Sequence, residues 1–204
     1  LEGTVHEKEN KNLGRIDPLP GYNDIMTIDA ELQKAAWQGL AGKAGAVIAL
    51  DPRDGAVLAM VSTPSFDPHL FNLGIADDEW NKLINNPLSP MTNRVVSGQY
   101  PPGSTYKLIV AAAGLEEGII TPHTKFFCDG AFTMGKRTFR CWKKGGHGHV
   151  ELHRALVESC DVYFYNVGRL LGPDKIAKYA RLFGLGQLTG IEFPNVKNGI
   201  YPCE

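Results

Sequence analysis

Residues 100–115 join a stiff loop to an apolar helix, and this junction limits how the chain can fold more than any other stretch. Two prolines and a glycine break the chain, and Ser104 follows them at a position where a helix can begin. Residues 108–115 are good helix formers or small residues that pack closely. The sequence therefore predicts a loop that leads into a buried helix.

Ser104 and Lys107 are three residues apart, so on a helix they share a face with side-chain origins roughly 5–6 Å apart. A serine hydroxyl needs a base to act as a nucleophile at neutral pH. A lysine can be that base when burial and the positive end of a helix dipole lower its pKa. The pair therefore predicts an acyl-enzyme. The pattern is short, however, and a serine at a helix start often acts only as a cap, which is the alternative interpretation.

The charge balance excludes several classes of partner. The 204 residues carry 21 Lys and Arg against 22 Asp and Glu, with no long run of one sign, so neither nucleic acid nor an anionic membrane is expected to bind. The hydrophobic fraction of 43% suits one globular domain. The longest apolar stretches, residues 44–50 and 108–115, are too short to span a bilayer.

Turn residues and hydrophobic periodicity divide the chain into predicted elements. Residues 1–24 are polar and broken, and are interpreted as a connector. Residues 45–50 and 56–62 flank a turn and predict an antiparallel hairpin, whereas residues 124–149 are expected to be irregular. Besides the helix after Ser104, four more are predicted, at residues 29–40, 152–158, 161–171 and 174–183. The pattern indicates a helix-rich part of an α/β or α+β fold.

Several segments taken together resemble the class B penicillin-binding proteins, and most closely the branch that serves rod-shape elongation. The resemblance covers residues 13–193, and its specificity lies in the joint order and spacing of the segments rather than in any one of them. The segments are Asp51-Pro52 with Gly55, residues 57–68, Asn93-Arg94, residues 100–107, Trp142-Lys143-Lys144 with Gly146-His147-Gly148, and Ser159-Cys160-Asp161 with Phe164-Tyr165.

This resemblance implies the penicillin-recognising serine transpeptidase fold, an antiparallel sheet beside a helical subdomain, present here in part. It implies a peptidoglycan D,D-transpeptidase in which Ser104 attacks a D-Ala-D-Ala stem peptide and is acylated by β-lactams. Lys107 would be the general base, and Ser159 would relay the proton to the leaving amine. Asp161 occupies a position where most family members carry asparagine and the elongation branch carries aspartate, and it is assigned a structural or substrate-orienting role.

The resemblance also implies partners and a location. The partners are peptidoglycan stem peptides, β-lactam antibiotics, and the glycosyltransferase and membrane proteins of the elongation machinery. The location is the periplasmic face of the bacterial inner membrane, with the anchor outside this segment.

The third motif of the family, Lys-Thr-Gly or Lys-Ser-Gly, does not occur in this sequence, since Thr189-Gly190 follows a leucine. That motif supplies part of the oxyanion hole in the family. Residues 25–204 are therefore expected to be the N-terminal part of a transpeptidase domain. Residues 1–24 are expected to be the connector from an N-terminal pedestal, of which residues 1–3 would be the last. As given, the chain is expected to be a poor transpeptidase.

Two other functions remain open from the sequence. The first is a serine β-lactamase or β-lactam sensor on the same fold, which would need a group that activates water or a signalling helix. The second is a catalytically silent, zinc-stapled module that binds cell-wall partners.

Three cysteines and a histidine suggest a structural metal. Cys128, Cys141 and Cys160 with His147 offer three thiolates and an imidazole, a closed tetrahedral set suited to zinc, and some members of the elongation branch have metal-binding Asp, His and Cys at the corresponding places. His149 is the alternative nitrogen ligand. The competing interpretations are a Cys128–Cys141 disulfide beside a buried free Cys160, and three unrelated thiols. Cys203 receives no role, and no organic cofactor is expected.

Overall fold

The computed structural model describes residue 21 and residues 23–72 and 74–199, so most of the predicted connector and Cys203 lie outside the described residues. The helices are α1 Ala30–Gly39, α2 Asp77–Ile84, α3 Arg94–Ser97, α4 Tyr106–Glu116, α5 Leu152–Val157, α6 Asp161–Leu171 and α7 Pro173–Leu182. The strands are β1 Gly45–Leu50, β2 Val57–Thr63, β3 Lys125–Cys128, β4 Ala131–Met134, β5 Arg137–Arg140 and β6 Gly148–Glu151. No helix in the described part of the chain is long and apolar enough to span a bilayer.

The first part of the fold is an antiparallel hairpin with a helix against it. Gly45 of β1 pairs with Thr63 of β2, and the turn between the strands contains Gly55 with a φ of +80°, as the turn residues predict. Helix α1 packs on β2. Asp29 caps it by accepting a hydrogen bond from the Leu32 N–H at 2.8 Å, so both the predicted hairpin and the predicted helix are confirmed.

The prediction that residues 124–149 are irregular is wrong. Strand β3 pairs with β6 and β4 pairs with β5, both antiparallel, so this region is two small two-stranded sheets. Each strand has four residues, too few for a period of two to stand out among the glycines and lysines around it. These two sheets lie beside α6, to which β3, β4 and β5 all contribute contacts.

The second part of the fold is a helical core around α4, which contacts α5, α6 and α7. Gly114 on α4 permits the close approach of α6, since a Cβ there would lie 3.0 Å from a methyl carbon of Val167. Tyr163 is fully buried and Phe164 nearly so, and both belong to the core. The expected mixed fold with a helical part and antiparallel pairing is confirmed, with three two-stranded sheets among the described residues.

A carboxylate at the end of α4 binds side chains of α7, and the stability of the fold is therefore expected to fall in acid. Glu117 accepts from Lys178 at 2.9 Å, Lys175 at 3.0 Å and Tyr179 at 3.1 Å, and the hydrogen bonds from the two lysines lower its pKa from 4.5 to about 2. Because the pKa is lower in the folded state, this stabilisation is present above pH 4.5 and is lost as the pH falls towards 2.

Glu117→Gln is therefore expected to reduce the melting temperature at pH 7 and to flatten its decline between pH 4.5 and 2. Thermal melts across that range, followed by circular dichroism, measure the effect. Glu116→Gln is the matched control, because it removes the exposed neighbouring carboxylate on the same helix. Parallel pH profiles for wild type and Glu117→Gln would contradict the assignment.

Candidate active site and thiol cluster

Ser104 stands in a short 3-10 turn, Gly103–Thr105, that leads directly into α4. Gly103 has a φ of +57°, a conformation that favours glycine, and the two prolines before it restrict the approach of the chain. The Ser104 side chain is exposed, whereas Lys107, in the first turn of α4, is only 13% exposed. The loop therefore presents a hydroxyl at the surface, close to an amine that is mostly buried.

Ser159 reaches Ser104 from the loop between α5 and α6. Its φ of +50° is uncommon for a residue with a side chain and stores strain in the loop. The result is a hydrogen bond of 2.9 Å between Ser159 Oγ as donor and Ser104 Oγ as acceptor. Residues 55 positions apart in sequence thus place their hydroxyls in contact.

Lys107 connects to Ser104 through Ser159. Its Nζ donates to the Ser159 carbonyl and to Ser159 Oγ, both at 2.9 Å, and to Asp161 Oδ1 at 2.6 Å. Three acceptors match the three N–H donors of an ammonium group. The direct contact with Ser104 expected from the i, i+3 spacing is therefore replaced by a chain from Lys107 through Ser159 to Ser104.

Asp161 has a structural partner that sequence reasoning missed. Its Oδ1 pairs with Lys107, and its Oδ2 accepts a hydrogen bond from the Trp142 backbone N–H at 3.1 Å. Asp161 is the first residue of α6, where a carboxylate is favourable for the helix dipole. The side chain therefore connects the loop after β5 to the Lys107 amine.

A cavity of about 750 Å³ opens beside these groups. Ser104, Lys107 and Asp161 line one end of it, and the rest runs between α4, α6, the start of α7 and the β4–β5 hairpin. Aromatic and aliphatic side chains make up most of the wall, among them Phe139 and Phe164. A nucleophile at the edge of an apolar cleft can meet a substrate in a partly water-excluded setting.

The three cysteines and one histidine singled out in the sequence meet in a buried cluster. One ligand atom from each of Cys128, Cys141, His147 and Cys160 lies within 4.8 Å of every other. The His147 Nδ1 is 3.5 Å from both the Cys128 and Cys141 sulfurs. His149, the alternative ligand, is exposed and packs against Phe127 with ring centres 4.9 Å apart, so it lies outside the cluster.

The thiols of the cluster have unequal acidities. Burial, together with smaller contributions from the Cys128 and Cys141 sulfurs, raises the pKa of the Cys160 thiol to about 12. Burial also raises the pKa of Cys141, but backbone N–H groups of Lys143, Asp161 and Val162 outweigh burial and lower it below the usual value. Cys128, Cys141 and Cys160 are free thiols here, so a disulfide is not the arrangement observed. The set could hold a metal ion.

Comparison with known proteins identifies the family. Residues 45–203 match the family described as Penicillin binding protein transpeptidase domain. The chain belongs to this family. It is 43% identical over 204 residues to a peptidoglycan D,D-transpeptidase MrdA of Acinetobacter baumannii, a match that covers 99% of this chain and 30% of that protein. The chain thus spans about a third of the length of this relative.

Solved transpeptidase structures have the same fold. The crystal structure of Pseudomonas aeruginosa PBP2 in complex with WCK 5153 superposes with a TM-score of 0.85 and 40% identity, over 93% of this chain and 43% of that one. Helicobacter pylori PBP2, in its complex with MreC, gives a TM-score of 0.81 and 38% identity, over 85% of this chain and 33% of that one.

In this transpeptidase-family chain, all eight predicted site residues fall into two adjoining groups. Ser104, Lys107, Ser159 and Asp161 form one hydrogen-bonded set, and Cys128, Cys141, His147 and Cys160 form the other. Residues 159–161 belong to both, because Cys160 is fully buried among the thiols while its two neighbours bond to Lys107. The thiol cluster therefore lies directly next to the serine–lysine set.

Proposed function

We propose that this chain is part of a peptidoglycan D,D-transpeptidase that acts through an acyl-enzyme on Ser104. The observation that carries the proposal is the hydrogen-bonded chain from Lys107 through Ser159 to Ser104, beside the cavity that Ser104 and Lys107 line. The name of the Acinetobacter relative supports the reaction and the substrate. The chemistry is that of a serine activated by an adjacent base, which is the general logic of acyl transfer.

Acylation moves one proton along this chain. With Lys107 as a neutral amine, the Ser104 proton passes to Ser159 Oγ while the Ser159 proton passes to Lys107 Nζ, since both hydroxyls can rotate their hydrogens. Ser104 Oγ then bonds to the carbonyl carbon of the penultimate D-alanine of a stem peptide. The amide C–N bond breaks, and the departing D-alanine amine takes the proton back from Lys107 through Ser159.

Transfer reverses these proton movements. The amine of a second stem peptide attacks the Ser104 ester and gives its proton to the Ser159–Lys107 pair. The C–O bond of the ester breaks, and the proton returns to Ser104 Oγ. Asp161 keeps Lys107 in place throughout, because its Oδ1 accepts a hydrogen bond from Lys107 Nζ while its Oδ2 accepts from the Trp142 N–H. A β-lactam enters by the same acylation step and leaves the serine blocked.

Residues 25–204 are proposed to be the part of the transpeptidase domain that carries two of its three catalytic motifs, namely Ser104 with Lys107 and residues 159–161. The share of the relative that is matched supports this division. By the resemblance to the elongation branch, the proposed location is the periplasmic face of the inner membrane. The proposed partners are a glycosyltransferase and membrane proteins of the elongation machinery, and the complex of Helicobacter pylori PBP2 with MreC supports the latter.

Zinc is the metal proposed for the thiol cluster. Three sulfurs and one imidazole nitrogen form a soft, four-membered donor set, and all four residues are buried, which is typical of a closed structural site. Bound zinc would fix the positions of Cys141 and Cys160, the residues next to Trp142, Ser159 and Asp161. With no open ligand position, the site has no place for a catalytic water.

Labelling with a fluorescent penicillin tests the proposed function, in a form of the protein that also carries the third motif. The expected result is slow, stoichiometric and covalent labelling. Rapid turnover of the penicillin would instead identify a β-lactamase, and no labelling would favour a binding module.

Lys107→Arg should suppress acylation by about 100- to 10,000-fold, because arginine keeps the positive charge beside Asp161 but does not lose a proton at working pH. The rate of penicillin labelling, followed by gel fluorescence at several times, measures the effect. Lys136→Ala removes an exposed lysine from the turn between β4 and β5 and is the control, with wild-type labelling expected. Normal labelling of Lys107→Arg would show that another group is the base.

A further inference from the structure

The outer nitrogen of His147 is a buried polar atom without a hydrogen bond. The His147 side chain has 0% exposure, its Nδ1 faces the sulfurs, and its Nε2 has no partner in the described part of the chain. A buried donor or acceptor left unpaired costs about 1–3 kcal/mol. When Nδ1 binds a metal, Nε2 carries the proton and needs an acceptor.

Glu158 places a carboxylate close to that nitrogen. Its Oε2 is 3.8 Å from His147 Nε2, so a movement of about 1 Å brings the pair to hydrogen-bond distance. Arg154 holds the carboxylate with two hydrogen bonds, 2.7 Å to Oε1 and 3.2 Å to Oε2. Arg154 therefore keeps the carboxylate beside the imidazole, where its Oε2 can accept a hydrogen bond.

The main chain of Glu158 is hydrogen-bonded to the loop after β5, which contains both Trp142 and His147. Its carbonyl oxygen accepts a hydrogen bond from the Trp142 indole N–H at 3.0 Å, and the Trp142 ring meets the His147 ring edge-on with centres 5.5 Å apart. Glu158 also precedes Ser159 in the chain. The backbone of Glu158 is therefore fixed beside the His147 ring, and Arg154 alone holds its side chain.

We propose that Glu158 is a positioning residue for the metal site, accepting a hydrogen bond from His147 Nε2–H so that Nδ1 faces the ion. The inference rests on the zinc site of the proposed function. Carboxylates that orient a ligating histidine in this way fix its tautomer and make the imidazole a stronger ligand. Removing the carboxylate weakens metal binding and frees the His147 ring to rotate, without removing any ligand.

Glu158→Ala is expected to weaken zinc binding by about 10- to 100-fold, the range typical of such partners. Competition with a chromogenic chelator measures the affinity. Glu151→Ala is the matched control, because Glu151 is a half-buried carboxylate at the other end of α5 and makes no capping hydrogen bond there. Glu158→Gln keeps an oxygen that can accept from Nε2–H, so its affinity is expected between those of wild type and Glu158→Ala.

A spectroscopic signature separates positioning from general stability. In nitrogen-15 NMR of the zinc-loaded protein, the His147 Nε2–H proton should be observable and slow to exchange in wild type, and should broaden or exchange quickly in Glu158→Ala. Zinc bound by both proteins with the same affinity would overturn the role of Glu158 alone. No zinc bound by wild type would overturn the metal site and this role together, while leaving the serine chemistry to the penicillin test.

Discussion

Ser104→Ala is expected to abolish covalent labelling by penicillin and to leave the protein folded. The acyl bond is proposed to form on Ser104 Oγ, which is connected to Lys107 through Ser159. Because the Ser104 side chain is exposed, the substitution should change the free energy of unfolding by only about 0.5 kcal/mol. Intact-mass spectrometry after incubation with penicillin measures the adduct.

Thr105→Ala provides the matched control for this result. Thr105 is the next hydroxyl in the same exposed turn, and its Oγ1 donates to the Pro102 carbonyl at 2.6 Å rather than to the serine–lysine set. Its labelling should remain stoichiometric. An adduct of normal mass on Ser104→Ala would remove Ser104 as the nucleophile and direct the search to Ser159.

Cys160→Ser is expected to lower the melting temperature on the order of 10 °C by removing one zinc ligand. A metal present at a thousand times its Kd stabilises the folded state by about 4 kcal/mol, and a domain of this size loses about 2–4 °C for each kcal/mol. Cys160 is fully buried, so its loss cannot be made good by a ligand from solvent. Thermal melts combined with zinc content by elemental mass spectrometry measure both consequences.

A chelator separates metal loss from a packing defect. Wild type treated with a chelator should melt at the lower temperature of Cys160→Ser, and the variant itself should not respond to the chelator. Cys203→Ser, which alters the cysteine outside the described residues, should retain zinc and the wild-type melting temperature. Equal melting of wild type and Cys160→Ser, with and without chelator, would count against a metal at this site.

The sequence predicts best those features that depend on residues close together in the chain. The hairpin of β1 and β2 and the start of α1 follow from a turn and a cap within a few positions. The addition of Ser159 to the pair of Ser104 and Lys107 came instead from the resemblance to a family, because no local rule links residues 55 positions apart. Their roles in catalysis remain predictions.

What the sequence could not supply is the direction of individual side chains. The spacing of Ser104 and Lys107 indicates a shared face, but whether the amine meets Ser104 or Ser159 depends on where the loop after α5 places its strained residue. The contacts of Trp142 and Glu158 could not be predicted, because a backbone N–H bonded to Asp161 and a carboxylate near a buried imidazole leave no pattern of spacing.

Consecutive side chains at Ser159, Cys160 and Asp161 serve opposite sides of one segment, and this limits changes in its length. One inserted or deleted residue would exchange the two sides, directing a hydroxyl or carboxylate into the thiol cluster and a thiol towards Lys107. The exposed turn between β4 and β5, where Gly135 has a φ of +59°, can take up an extra residue without such an exchange. Insertions and deletions are therefore tolerable in the turn between β4 and β5, whereas at residues 159–161 they are incompatible with function.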